Sequence, residues 1–86
     1  MLKLSRNRPV YEIVEAGHEI ARYTERTGLD LGAVLFGFIQ GRGGATREDI
    51  CAFFKVSIVA LELILFVTQR LYDEGEDGRI VVRQAS

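Results

Sequence analysis

Apolar and polar positions recur with a helical period over most of this chain, and one stretch departs from that rule. Residues 57–73, SIVALELILFVTQRLYD, read as a helix of about four turns that is apolar on nearly every side. Ile58, Leu61, Leu65 and Tyr72 line one side, with Ile64 and Leu71 beside them. Val59, Leu63, Phe66 and Val67 line the other, and only Glu62, Thr68, Gln69 and Arg70 interrupt. A surface helix carries one apolar stripe, whereas a helix that is apolar all round is buried or covered by a partner.

The rest of the pattern predicts three further helices and a strand. Val10, Ile13, Val14, Gly17, Ile20, Ala21 and Thr24 follow helical spacing and form the expected core face of a first helix. Asn7 is its candidate cap, Pro9 sits in its first turn and Gly28 is a left-handed stop. Glu19 is spaced to pair with Arg22 along the same helix. Gly17 costs up to ~1 kcal/mol against alanine and marks a candidate close approach by another helix. Asp30 caps a second helix, 31–40, with Val34, Leu35, Phe38 and Ile39 on its buried side. Gly32 and Gly37 could permit close packing there, and Gly41 ends it.

GRGG, 41–44, reads as a flexible connection carrying one cation, Arg42. It lacks the lysine and Ser/Thr of a phosphate loop. Thr46 opens a third helix, 47–54, in the manner of a capping box, with Asp49 reaching back. Lys55 and Val56 turn the chain, and Ser57 caps the apolar helix. DEGEDG, 73–78, is an acidic turn. RIVVR, 79–83, is the strand candidate, with 70–73 as its hairpin partner if the apolar helix ends early. At the other end, residues 1–8 carry Lys3, Arg6 and Arg8 against no acid. They read as a solvated arm or as a basic arm that meets phosphates or an acidic partner. Leu2 and Leu4 alternate with polar neighbours as a short edge strand would.

Composition narrows the class. Eighty-six residues make one domain, 1–86, which buries only roughly 60% of its unfolded surface. Apolar residues are 48%, too many for a disordered chain. The net charge of −1 does not favour nucleic acid, although a local basic patch can suffice. The single cysteine, Cys51, excludes an internal disulfide. The N-terminus lacks the apolar core of a signal peptide. The apolar run 56–67 contains Glu62 and falls short of the ~20 residues of a membrane span. The expected location is the cytoplasm, with no membrane partner.

Catalytic chemistry finds few candidates. His18 is the only histidine and has no second ligand nearby. Cys51 falls on a core position, where a free cysteine behaves as a small hydrophobe. Glu74, Glu76 and Asp77 lack the spacing of a calcium loop. No enzyme activity, metal, cofactor or small-molecule substrate is expected.

The order of elements resembles a winged helix-turn-helix domain over residues 46–82. TREDICAFFKVSIVALELI carries the match. Cys51 takes the small position where the two helices cross, flanked by Ile50 and Phe54. Lys55, Val56 and Ser57 supply the left-handed turn, the apolar residue and the cap, and Leu61 and Ile64 point to the core. EGEDGRIVV resembles the wing. The resemblance implies a mainly α, small winged-helix-like domain of about four helices with a short C-terminal strand or hairpin.

Two features depart from that family. Lys55 stands where glycine is common. The outward face, Ser57, Ile58, Val59, Glu62, Leu63 and Phe66, offers almost none of the donors that read bases. Two functions follow. The first is a small non-enzymatic regulatory protein whose helix 57–73 associates with protein through Ile58, Val59, Leu63 and Phe66, as a homodimer or with another partner. The alternative is a transcriptional regulator that meets DNA through Arg42, Arg47, Lys55, Ser57, Arg79 and Arg83.

Overall fold

The computed structural model describes residues 8–84. The Asn7 cap, the cations Lys3 and Arg6 and the strand around Leu2 and Leu4 lie outside the described residues. Four helices follow one another: α1 (Val10–Thr27), α2 (Leu31–Arg42), α3 (Arg47–Phe54) and α4 (Ile58–Val67). A 3₁₀ turn (Gln69–Leu71) then leads into a hairpin of β1 (Tyr72–Glu74) and β2 (Ile80–Val82). The molecule is thus mainly α with a short antiparallel hairpin, as the sequence predicts. Among the described residues no single helix is long and apolar enough to cross a membrane.

Local chemistry sets most boundaries. Asp30 accepts the Ala33 N–H at 2.9 Å, Thr46 Oγ1 that of Asp49 at 3.2 Å and Ser57 Oγ that of Ala60 at 3.1 Å. Each such cap contributes about 1 kcal/mol. Gly28 ends α1 in the left-handed region, and Lys55 does the same for α3, with φ 57° and ψ 47°. α2 runs through Gly41 and stops instead at Gly43, whose φ of 71° closes the last turn. The expected flexible connection is a fixed corner. Gly44 is buried, and a Cβ there would lie 2.9 Å from Val81 Cγ1.

The apolar helix ends early, at Val67 and not at residue 73. Thr68 bonds back to the Ile64 carbonyl through both its N–H (3.0 Å) and its hydroxyl (2.6 Å), closing the last turn. Tyr72 then turns into the core beside Phe36, with ring centroids 6.2 Å apart. Tyr72 pairs with Val82, Asp73 with Val81 and Glu74 with Ile80. Ala45 adds a one-residue third strand, exchanging hydrogen bonds of 2.7 and 3.0 Å with Ile80. A continued helix would forfeit both the ladder and the burial of Tyr72.

The core holds Leu31, Leu35, Ile39, Ile50, Phe54, Leu61, Ile64, Leu65, Tyr72 and Ile80. α1 meets it with a face turned by about one residue from the predicted one. Ala16 and Tyr23 are buried, with Ile13 and Ile20 half-buried beside them, while Val10, Val14, Ala21 and Thr24 stay outside. Tyr23 packs edge-on against Phe54 at 6.3 Å, and burying a ring outweighs burying a valine. Neither Gly17 nor Gly37 marks a close approach, because a Cβ at either would meet nothing within 4 Å.

Candidate functional site: the outer face of α4

α4 leaves α3 at an angle of 111° across the turn at Lys55 and Val56. Its inner side, Ala60, Leu61, Ile64 and Leu65, is buried. Its outer side carries two rows at four-residue spacing. One row is Ile58, Glu62 and Phe66; the other is Val59, Leu63 and Val67. Ile58 and Phe66 are each 39% exposed and Val67 is 67% exposed, while Val59 and Leu63 are half-buried. The apolar surface therefore extends to Val67, one turn beyond Leu63. Val59 lines a groove against Tyr11, Glu12, Glu15 and Glu19 of α1.

Charges on this face are answered within the chain. Arg8 Nε donates to Glu62 Oε2 at 3.2 Å, and the same guanidinium reaches Glu12 at 3.4 Å. The N-terminus of α4 holds a carboxylate. Glu19 accepts the Ser57 N–H at 2.8 Å and the Ser57 hydroxyl proton at 2.7 Å. A helix N-terminus attracts anions, and here α1 supplies one. Glu19 therefore does not pair with Arg22 as its spacing suggests, and Glu15 lies 3.6 Å from His18. Nothing near Glu19 in sequence signals its reach to Ser57, because the two lie 38 positions apart.

Of the six positions expected to meet DNA, the structure brings Arg42 and Arg79 to one groove, and most are engaged within the chain. Arg47 forms a two-pronged pair with Glu74, at 2.8 and 2.9 Å, which joins α3 to β1. The hydrogen bonds of that guanidinium hold the Glu74 carboxyl below its usual range. Arg79 donates to the Gly44 carbonyl at 3.0 Å. Arg83 bonds Asp73 at 2.9 and 3.1 Å and also the Tyr72 carbonyl. Arg42 stacks over Phe38, 4.4 Å from the ring centroid, and lines a groove with Arg79 and Asp49. Lys55 faces a different groove, shared with Arg22, Arg26, Glu19 and Glu25. Ser57 is taken by Glu19.

Two other groups define what the site can do chemically. Cys51 is half-buried against the core, and burial, followed by the charges of Glu19 and Glu62, pushes its thiol up. That shift is opposite to activation as a nucleophile. Among the described residues no three of His, Cys, Asp or Glu are grouped to hold a metal ion. Comparison with protein-family models, with curated proteins and with solved structures finds no match.

Proposed function

We propose that this chain is a small non-enzymatic regulatory protein on a winged helix-turn-helix scaffold, and that the outer face of α4 binds protein, a second copy first of all. The scaffold reading is supported by the order α2, Ala45 bridge, α3, α4, β1, β2. It is also supported by the 111° angle between α3 and α4, within the range of such helix pairs.

The observation that carries the protein-binding reading is the chemistry of α4. Its outer rows are apolar, its one acid is paired with Arg8, and its N-terminus is filled by Glu19. A DNA groove needs donors and positive charge there. A protein surface needs what is present, since each apolar side chain of this size contributes roughly 1.5–3 kcal/mol when fully covered. A two-fold dimer is the commonest arrangement that covers such a face.

The DNA-binding alternative keeps one favourable observation. Arg42 and Lys55 have no carboxylate within ion-pair distance among the described residues. Two measurements separate the readings. Light scattering on wild type and Leu63→Glu reports self-association through α4. Titration with mixed-sequence DNA against salt reports phosphate attraction, which strengthens as salt falls. Binding to DNA at low salt, together with an unchanged mass for Leu63→Glu, would reverse the order of the two.

A further inference from the structure

The groove between the C-terminal half of α1 and the α3–α4 turn holds cations that the fold leaves without partners. Arg22 and Arg26 stand four positions apart on α1, and Lys55 enters the same groove from the turn. All three are exposed. Among the described residues none has a carboxylate within ion-pair distance, whereas Arg8, Arg47 and Arg83 are answered by Glu62, Glu74 and Asp73. Like charges four residues apart destabilise a helix, and a third cation in the same groove adds to the repulsion.

The acids of the groove do not cancel this charge. Both Glu19 oxygens accept from Ser57, at 2.8 and 2.7 Å, so that carboxylate already serves the N-terminus of α4. Glu25 is the second acid of the lining. Arg26 lies over the Tyr23 ring, 5.5 Å from its centroid, a contact that holds the guanidinium and leaves its charge in place. Lys55 has φ 57°, the one positive value at a non-glycine residue among the described residues. Such strain collects at functional sites. Glycine would relieve it and would remove the charge.

We propose that this groove binds a dianionic phosphate group, held by Arg22, Arg26 and Lys55. A phosphate monoester carries close to two charges at neutral pH and three acceptor oxygens. Guanidinium groups meet those oxygens with paired N–H donors. The groove measures about 480 Å³, within the range of roughly 300–1,000 Å³ for small-molecule sites. Tyr23 and Val56 give it an apolar wall, which suits a phosphate ester with an apolar body better than the free ion. A phosphodiester, with one charge, answers three cations less well. The proposal stands independently of self-association through α4.

Amide NMR titration of the full chain at constant ionic strength tests it. The probes are inorganic phosphate, phenyl phosphate and a mixed-sequence DNA duplex without terminal phosphates. Both phosphates are expected to saturate, with the largest shifts at Arg22, Arg26, Lys55 and Val56. Tighter binding of phenyl phosphate assigns the site to esters, and tighter binding of inorganic phosphate assigns it to the free ion. Arg26→Gln and Lys55→Gly are each expected to weaken binding about tenfold. Arg70→Gln, an exposed cation outside the groove, should leave it unchanged. Lys55→Gly relieves backbone strain, so lost binding in a protein at least as stable as wild type does not come from unfolding. Arg22→Gln takes its place if that variant is less stable. The proposal is overturned if neither phosphate saturates, if the shifts spread over cations outside the groove, or if Arg70→Gln weakens binding as much as Arg26→Gln. Lys55-dependent binding of the duplex that is tighter than that of either phosphate also overturns it.

Discussion

Lys55 is the only non-glycine residue with positive φ among the described residues. A side chain with a Cβ in that region costs about 1–2 kcal/mol, which glycine avoids. Glycine also loosens the unfolded chain, and this offsets part of the gain. Lys55→Gly is expected to stabilise the fold by about 0.5–1 kcal/mol, read from the midpoint of urea unfolding. A lower midpoint would mean that the lysine stem makes contacts that outweigh the strain. Tyr72 tests the hairpin at the same scale. Burial pushes its phenol from 10 up to about 12. A folded pKa raised in this way leaves stability intact below pH 10 and removes it as pH rises through about 12. Tyrosinate absorbance is expected to report Tyr72 titrating together with loss of structure in that window, and Tyr72→Phe to lack that step. Residue-level features such as Lys55, Asp30, Thr46 and Ser57 were legible because each acts on its own backbone. Tyr23 was not, because its burial depends on Phe54, which arrives from α3.

Among the elements, α4 shows where a local reading holds and where it ends. Its start was legible in Ser57, but its end was not. No glycine or proline stands between Ser57 and Gly75, so the pattern alone runs on. What stops the helix is Thr68 folding back on Ile64 and Tyr72 finding the core. α1 turns inward a face about one residue from the one its period suggests, because Val10 and Val14 continue the pattern of Ile13 and Ile20 and periodicity cannot say which side meets the protein's own core. The α4 N-terminus is capped twice, by its own Ser57 and by Glu19 from α1. Ser57→Ala is expected to cost about 1 kcal/mol. Glu19→Ala is expected to cost less alone, because the pair is exposed to solvent. Their double-mutant cycle should give a coupling of about 0.5–1 kcal/mol in thermal unfolding. Strict additivity would show that the Glu19 bonds contribute nothing to docking α1 on α4.

The molecule as a whole makes the outer face of α4 intelligible. Its apolar character was visible in Ile58, Val59, Leu63 and Phe66. The partial cover over Val59, the pairing of Glu62 with Arg8 and the extension to Val67 follow from where α1 lies. The cations were visible as residues, but their engagement by Glu74, Asp73 and the Gly44 carbonyl was not. The balance leaves α4 with an apolar outer surface whose charges are answered within the chain. The most direct test is the mass by light scattering of the wild-type protein beside Leu63→Glu. The expected result is two chains for the first and one for the second, with unchanged helical content. Equal masses, whether one chain or two, would contradict self-association through α4.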